Sequence, residues 1–305
     1  MKTVRNSLTI RLSALILPML LFVACSTNTV ADDVKVIAKG EYTVSAGGNL
    51  KVSAPSGNVT INSWNQNKVE VKVYGNEVAE KYIDTRLVQD GNDITVKLEW
   101  KGGNNYGRNL EISVSVNVPE KYNTKVNTAG GNLSLTNISG DHSLTTAGGN
   151  ISLSGMSGTM NSTTAGGNIS VSKFTGELKA TTAGGNISLS GVKGDTKVST
   201  AGGNMDIEVA DGEVEAATAG GEVTMRYSGT VKGIDIATMG GDIDLYLPSD
   251  AKVTLKCATM SGEVNTAFSG DFKKTETSLK GDINGGGAKV ECSTMGGDIR
   301  IKKGS

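Results

Sequence analysis

The stretch TAGGNISLSGVKGDTKVS, from Thr182 to Ser199, is one period of a repeat that determines the fold. Its signature is Thr-Ala-Gly-Gly-Asn followed by an apolar residue, and it begins every eighteen residues, at Thr128, Thr146, Thr164, Thr182 and Thr200. Variants of the signature begin at Thr218, Thr238, Thr259 and Thr294. A fixed period of this size is typical of stacked repeat architectures, in which each unit contacts its neighbours.

Each period contains two short strand-like segments. After the Asn, one polar residue separates two apolar residues, as in Ile187-Ser188-Leu189, and this alternation predicts a strand with one buried face. A third apolar column consists of Ile138, Met156, Phe174, Val192 and Ala210. Two residues later comes a glycine, Gly194 in this period, where we expect a corner because glycine adopts a positive φ easily. A second strand then leads to the next Gly-Gly corner.

Stacking such units about 4.8 Å apart creates parallel sheets and a continuous core. The sequence therefore predicts an all-β protein, a parallel β-helix or β-solenoid with about eighteen residues per coil. The crossover rule for parallel strands favours right-handed winding. A left-handed coil of three hexapeptides has the same length, but the apolar columns do not repeat every six residues. One buried axial row is predicted to contain Leu135, Leu153, Val171, Leu189 and Ile207.

The N-terminus has the features of an export signal. Three cationic residues precede an apolar run from Leu12 to Ala24, which is too short for a spanning helix and predicts a signal peptide over residues 1–24. The sequence Leu21-Phe22-Val23-Ala24-Cys25 resembles the lipobox of bacterial lipoproteins, although Phe22 replaces the usual Leu. We therefore expect export, lipidation at Cys25 and anchoring to the bacterial envelope, at the outer membrane, with either face possible. The alternative is an ordinary cleaved signal beside a chance cysteine.

Charge and composition narrow the possible partners. Removal of residues 1–24 takes away three positive charges and moves the formal net charge from −1 to −4. Lysines and glutamates are scattered along outward strand positions, and no basic patch of the kind that binds nucleic acid is present in the sequence. Because no second long apolar stretch exists, we expect membrane contact through the N-terminal lipid alone.

The repeat is weaker before residue 125. Ser45-Ala46-Gly47-Gly48-Asn49-Leu50 repeats the signature, whereas residues 78–88 lack alternation and predict a helical turn or a loop. A hairpin loop is predicted at Gly102–Gly107. We divide the chain into a signal peptide (1–24), a lipidated tether (25–33), a β-rich N-terminal segment or cap (34–124) and a repeat β-solenoid (125–305).

A column of asparagines is the most prominent polar array. It contains Asn132, Asn150, Asn168, Asn186 and Asn204, and acidic residues continue it at Glu222, Asp242, Glu263 and Asp298. Stacked amides that bond along the axis predict a structural ladder. The alternative is calcium binding, as in Gly-Gly-x-Gly-x-Asp repeats, but here Asn mostly replaces Asp and the second glycine motif is missing. We therefore predict neither a metal site nor a cofactor.

Catalytic residues are hard to assemble from this sequence. His142 is the only histidine and lies in the column of Met160 and Leu178, so we expect it in the core. Carboxylates are scattered and arginines are few, which disfavours an enzyme, although a groove with clustered carboxylates and a basic residue would favour one. The candidate ligand-contact aromatics are Trp64, Trp100 and Tyr106, which could instead cap the end of the solenoid.

Two cysteines remain in the repeat region. Cys257 and Cys292 each lie two residues before a Thr-Met signature, which places both in the core. If one coil and a hairpin separate them, they lie on adjacent rungs within reach of a disulfide, whereas two full coils would hold them about 10 Å apart. We favour unpaired core thiols.

These features together resemble a known family. The lipobox, the serial Thr-x-Gly-Gly-Asn/Asp-Ile rungs, residues 241–248 and the C-terminal stretch from Gly285 to Ile299 resemble the bacterial "putative adhesin" family of β-strand-repeat lipoproteins, a domain of unknown function. The resemblance covers nearly all of the mature chain and implies a secreted β-solenoid. We predict a non-catalytic, lipid-anchored envelope protein with an adhesin-like surface for glycans or proteins. The alternatives are a periplasmic envelope-stress or regulatory scaffold and, third, a carbohydrate-active β-helix enzyme.

Overall fold

A computed structural model describes residues 34–102 and 109–304, which belong to one compact unit. The predicted signal peptide, Cys25 and Tyr106 lie outside the described residues. The described part is all-β with one short helix, in a β-solenoid-like arrangement of stacked strands, and this confirms the all-β, solenoid-like part of the predicted fold class.

The N-terminal part contributes strands both to the stacked parallel coils and to the antiparallel strands at the end of the stack. Its elements are β1 (Lys35–Thr43), β2 (Asn49–Ala54), β3 (Asn58–Trp64), β4 (Lys68–Gly75), α1 (Glu77–Tyr82), β5 (Ile83–Asp90), β6 (Asp93–Trp100) and β7 (Ile112–Pro119). Residues 78–88 contain most of α1, which is one of the two predicted alternatives, and most of β5, which was not predicted. Asn76 caps the helix, since its side-chain oxygen accepts a hydrogen bond from the Ala79 N–H.

The repeat region supplies the middle of the stack. Its strands are β8 (Asn123–Thr128), β9 (Leu133–Thr136), β10 (Ser139–Thr146), β11 (Ile151–Ser154), β12 (Ser157–Thr164), β13 (Ile169–Thr182), β14 (Ile187–Lys193), β15 (Thr196–Thr200), β16 (Met205–Ala210), β17 (Glu213–Thr218) and β18 (Val223–Ser228). The remaining strands are β19 (Gly233–Ala237), β20 (Ile243–Leu247), β21 (Val253–Thr259), β22 (Val264–Thr266), β23 (Gly270–Lys274), β24 (Ser278–Ile283), β25 (Ala288–Thr294) and β26 (Ile299–Lys303).

In the middle of the stack, each strand pairs in parallel with the strand eighteen residues later, as Ile151 does with Ile169 and Ser157 with Thr175. We call sheet A the sheet that contains β9 and β11, which follow a Gly-Gly corner of the repeat, and sheet B the sheet that contains β8 and β10, which precede one. The long strand β13 belongs to both. The order in sheet A is β1, β4, β7, β3, β9, β11, β13, β14, β16, β18, β20, β26, β22. The order in sheet B is β5, β6, β2, β8, β10, β12, β13, β15, β17, β19, β25, β21, β24, β23.

At both ends of the stack, the coils do not follow chain order. The β2–β3 coil lies between the β6–β7 coil and the β8–β9 coil. Near the C-terminus, β25 and β26 are inserted between the coil of β19 and β20 and that of β21 and β22. Antiparallel strands cover both sheets at the N-terminal end and sheet B at the C-terminal end, whereas the parallel strand β22 is the last strand of sheet A.

The core consists of axial rows of apolar side chains. The predicted row of Leu135, Leu153, Val171, Leu189 and Ile207 is confirmed, since its members are in register and no more than 3% exposed. The third column differs in one coil. There Val209 pairs with Val192 and is buried, while Ala210 is only half-buried, because a bulge shifts the register and Asp211 takes a φ of 58°.

A turn that was not predicted lies just before the third apolar column, with left-handed residues at Asn137, Gly155, Lys173 and Gly191. The later glycine of the repeat has the predicted positive φ, which is 113° at Gly194, between β14 and β15. A Cβ added there would lie 2.3 Å from the Gly176 carbonyl oxygen, so close stacking of the coils requires glycine.

The Gly-Gly corners are joined along the axis by threonines. The Thr182 hydroxyl accepts a hydrogen bond from the Gly185 N–H at 3.2 Å and donates one to the Gly167 carbonyl at 2.8 Å. The threonines therefore bond to backbone groups of two coils and do not form the hydroxyl-to-hydroxyl ladder that their spacing suggests. A Cβ on Gly185 would lie 2.0 Å from that same Gly167 oxygen.

The inserted C-terminal coil brings the two cysteines together. Cys257 on β21 and Cys292 on β25 are register partners, both 2% exposed, and both thiols are free. The segment between them is one coil and a hairpin, β23–β24, which places the cysteines on adjacent rungs. The hydrogen bond with Cys257, together with burial, raises the pKa of the Cys292 thiol well above its ordinary value.

Candidate functional site

Trp64 and Trp100, the two predicted aromatic residues within the described ranges, do not form one binding platform. Trp64 ends β3 in sheet A, and its indole N–H donates to the Lys68 carbonyl at 2.8 Å. Trp100 ends β6 in sheet B and packs against the core. The two tryptophans therefore lie at opposite corners of the coil, an arrangement that suits packing at the end of the stack better than a shared ligand site.

A groove of about 490 Å³ lies on the outward face of sheet B. We call it the sheet B groove. It crosses the rungs from β13 to β25. Its charged lining residues are Glu177, Lys179, Asp195, Lys197, Glu213, Glu215, Lys232, Asp235, Lys289 and Glu291.

Strand alternation determines which side chains line the groove. Leu178, Thr196 and Val214 are register neighbours that point inward and are buried. Residues on either side of each must point outward, because successive side chains of a strand face opposite ways. One outward column is therefore Glu177, Asp195 and Glu213, and the next is Lys179, Lys197 and Glu215. Neighbouring members of a column are about 4.8 Å apart at the backbone.

Charges of both signs alternate across the groove. The Lys197 ammonium lies 2.6 Å from a Glu215 carboxylate oxygen, and both side chains are more than half exposed. At the far end, hydrogen bonds from Lys289 and Lys256 lower the pKa of Glu291. Water screens such exposed pairs, so they contribute little to folding and their partners can be exchanged for groups of a ligand.

The sheet B groove has clustered carboxylates beside lysines, which is the arrangement that would favour an enzyme. Its carboxylates project from open strand positions, and its described lining contains no arginine or histidine. The arrangement can attract and orient a polar ligand along several rungs. Because the acidic and basic columns are fixed by one rigid sheet, the spacing of their charges is preset.

A second groove, of about 440 Å³, lies nearer the N-terminus on the same face. Asn49, Asp93 and Asp141 line it, and His142 lies beneath it, 3% exposed, in the core column where the sequence placed it. The imidazole Nδ1 is 2.9 Å from the Thr124 hydroxyl, and Nε2 has no hydrogen-bond partner among the described residues. Burial lowers the pKa of His142 to about 4.

This burial predicts acid sensitivity. Unfolded His142 has an ordinary pKa of 6.5, so below that pH the unfolded chain binds a proton that the folded chain excludes until about pH 4. Between pH 8 and pH 5 the group should cost about 2 kcal/mol of stability. We expect His142→Met, which copies Met160 of the next rung, to remove this component in denaturant titrations. A stability difference between variant and parent that is equal at both pH values would contradict the assignment.

The asparagine column runs along the exposed edge of sheet A. Each side-chain oxygen accepts a hydrogen bond from the backbone N–H of the next Asn, at 2.9 Å from Asn150 to Asn132 and 2.7 Å from Asn186 to Asn168. Asn168 and Asn204 donate to the preceding Asn in the same way. The amide oxygens therefore accept hydrogen bonds between neighbouring coils. Within the described ranges, no group of three or more His, Cys, Asp or Glu is placed to hold a metal ion.

The acidic end of this column departs from chain order. The Asp298 N–H donates to Asp242, and the Glu263 N–H donates to Asp298, so Asp298 lies between the other two. Arg300 forms ion pairs with Asp242 at 2.9 Å and Asp298 at 2.7 Å. These pairs tie the inserted strand β26 to its neighbour β20, which gives the acidic residues a structural partner.

Comparison with known families and structures shows what the chain resembles. A family model described as Toastrack DUF4097 matches residues 47–302. A crystal structure of a "putative adhesin" from Parabacteroides distasonis ATCC 8503 is 12% identical, with a TM-score of 0.52, over 90% of this chain and 98% of that chain. One from Bacteroides fragilis NCTC 9343, also described as a "putative adhesin", is 14% identical, with a TM-score of 0.48, over 89% and 98%.

No curated protein matches the sequence. At these identities, the Parabacteroides structure shows a common fold. None of the described helices is long and apolar enough to cross a bilayer.

Proposed function

Because the chain belongs to the Toastrack DUF4097 family, we propose that it is a non-catalytic, adhesin-like envelope protein that binds an extended glycan along the sheet B groove. Right-handed winding, with one eighteen-residue coil per turn, is part of this proposal and rests on the crossover rule. The names of the structural relatives, "putative adhesins", support a role in surface contact.

The observation that carries the proposal is the repetition of the groove. The same outward position is acidic on three successive rungs, Glu177, Asp195 and Glu213, beside lysines on two of them. A polymer with regularly spaced hydroxyl and charged groups can contact several rungs at once, and weak contacts then add through effective concentration. A uniformly charged polymer such as a nucleic acid would be repelled along part of the groove, because both signs are present.

The test compares one outward column with a matched set elsewhere. The groove triple variant is Glu177→Gln, Asp195→Asn and Glu213→Gln. The control triple variant is Asp206→Asn, Glu208→Gln and Glu222→Gln, which removes the same charge from the sheet A side. Both variants are measured against an immobilised panel of bacterial surface glycans.

We expect the groove triple to weaken glycan binding by about tenfold or more, and each single substitution to weaken it by less than about threefold, because affinity is spread over the rungs. The control triple should bind like the parent. Equal loss in both triples, or no binding by the parent, would contradict the proposed site. Binding of a partner protein in place of glycans would support the adhesin-like role and reject the glycan.

Lipid anchoring at Cys25 is part of the proposal and rests on the apolar run that ends in Val23-Ala24-Cys25. A diacylglycerol thioether with an additional N-acyl chain would give stable attachment, since more than one lipid chain is needed. Mass spectrometry of the N-terminal peptide from membrane-extracted protein tests it. Protease accessibility on intact cells then separates a surface adhesin from the alternative, a periplasmic envelope-stress or regulatory scaffold.

The clustered carboxylates of the groove favour a carbohydrate-active enzyme as the second candidate function. Such an enzyme needs an acid and a second carboxylate placed on either side of a glycosidic bond. Incubation of the bound glycans with the parent protein tests this candidate by product analysis. Turnover that a single substitution such as Asp195→Asn eliminates would establish the enzyme and overturn the binding proposal.

A further inference from the structure

The edge formed by the Gly-Gly corners changes its composition near the C-terminal end. The residue after the signature Thr is alanine on six coils, Ala129, Ala147, Ala165, Ala183, Ala201 and Ala219. On the other three coils it is methionine, at Met239, Met295 and Met260, with exposed fractions of 51%, 47% and 76%. The four other described methionines are all buried, as Met225 is.

The three exposed methionines lie on successive rungs. Ala237 of one coil pairs with Ser293, and Ser293 pairs with Ala258, so the methionines two residues later stack in the order Met239, Met295, Met260. Met295 is the middle member only because the C-terminal coil is inserted between the other two. Adjacent rungs are about 4.8 Å apart, and the outer two methionines about 10 Å at the backbone.

Three exposed thioethers in a row are an unusual apolar surface. Among the described residues, the large apolar side chains that are exposed are Val34, Val36, Val88, Met239, Met260 and Met295. The corner residues beside the methionines are small, Gly240, Gly296 and Ser261, so the apolar patch ends at the three side chains. A stable protein interface needs about 800 Å² on each partner, which three side chains with polar and glycine neighbours do not supply.

A single ion needs far less surface than a protein. Thioether sulfur is neutral and soft, and it binds Cu(I) in preference to hard cations such as Mg²⁺ or Ca²⁺. Methionine has three rotatable bonds, so side chains from adjacent rungs can turn toward a common point above the middle residue. The nearby Asp242 and Asp298 are held by Arg300 and by backbone amides, and they are therefore not assigned as ligands.

We propose that Met239, Met295 and Met260 form a binding site for one soft monovalent cation, Cu(I). The site is independent of the sheet B groove and of any glycan. Binding requires no covalent or redox step, because the thioethers coordinate the ion directly as neutral ligands.

The experiment uses the full chain with methionine methyl groups labelled with carbon-13, titrated with Ag(I) as a redox-stable probe for Cu(I). We expect three methyl signals to shift together and to saturate at one equivalent of Ag(I). The signals of the buried methionines, Met156, Met160, Met205 and Met225, should stay in place and serve as internal references for the fold. Because methionine methyls are observed, Ag(I) bound at a cysteine does not produce the expected shifts.

The variant Met295→Leu keeps an apolar side chain on the surface and removes the middle sulfur. It should weaken the joint response of Met239 and Met260 by about tenfold or more, whereas Met225→Leu, a buried control, should leave it intact. A competition with bicinchoninate then measures Cu(I) affinity in the same proteins. The proposal would be overturned if the three methyl signals did not shift on addition of Ag(I), or if Met295→Leu left the shifts of Met239 and Met260 unchanged.

Discussion

Replacing Gly185 with alanine is expected to lower the free energy of unfolding by about 3 kcal/mol, whereas Gly184→Ala should leave it nearly unchanged. The two glycines are adjacent in the same corner, but only at the second one would a Cβ clash with the adjacent coil. A Cβ on Gly185 would lie 2.0 Å from the Gly167 oxygen and 2.4 Å from its carbonyl carbon, which are backbone atoms that cannot rotate away.

The first glycine is the matched control. A Cβ on Gly184 finds its nearest neighbour, the Ala165 carbonyl oxygen, at 3.7 Å, which is ordinary van der Waals contact. Alanine also reduces the freedom of the unfolded chain, so Gly184→Ala should change stability by less than about 1 kcal/mol, in the stabilising direction if at all. Chemical denaturation of both variants measures the contrast. Equal losses at the two positions would show that the corners do not stack as described.

Leu189→Asp is expected to destabilise the protein by about 4 kcal/mol or more, because it places an unpaired carboxylate in the middle of the apolar row. Leu189 is 2% exposed and lies between Val171 and Ile207 on the adjacent rungs. Each coil of a solenoid is stabilised by its two neighbours, so a charged rung disrupts the contacts on both sides.

The control for this prediction is Ser170→Asp, on the outward face of the adjacent rung. Ser170 is exposed and its register partners, Ser152 and Ser188, are uncharged. A new carboxylate there is solvated, and we expect a change within about 0.5 kcal/mol. Thermal and denaturant midpoints should therefore separate the two variants clearly. A midpoint for Leu189→Asp close to that of the parent would mean that the inward register is wrong.

The middle of the fold was predictable because the same residue types recur at the same offset. Ile151, Ile169 and Ile187 share one position of the period, so one register satisfies every coil and buries one face of each strand. The bulge at Asp211 was not predictable. The eighteen-residue spacing from Val192 indicates that Ala210 faces inward, whereas the strand alternation indicates Val209. The structure follows the alternation.

The order of the coils at the ends of the stack was also not predictable from the sequence pattern. The signatures that begin at Thr238, Thr259 and Thr294 are nearly equivalent, so each can stack on any of the others. Only long-range pairing of β25 and β26 reveals that the last signature lies between the other two. The asparagine ladder followed from its regular spacing, whereas the methionine row required knowledge of the inserted coil.

The sequence indicates the sheet B groove only in part. Glu177, Asp195 and Glu213 are spaced by eighteen residues, which the register converts into one outward column. Each follows a glycine and precedes an inward-facing residue, Leu178, Thr196 or Val214. The concave shape and the position of Lys289 and Glu291 beside this column depend again on the inserted strand β25.

The contrast between the exchanged coils at the ends and the sequential coils in the middle has a consequence for length. From β10 to β16, every strand pairs only with strands one period away along the chain, so no pairing there depends on the total number of periods. Duplication or loss of one eighteen-residue unit in this region would leave both termini of the stack intact. Each such event would extend or shorten the stack by one rung of about 4.8 Å. The length of the protein could therefore change in equal steps while the coils at both ends stay the same.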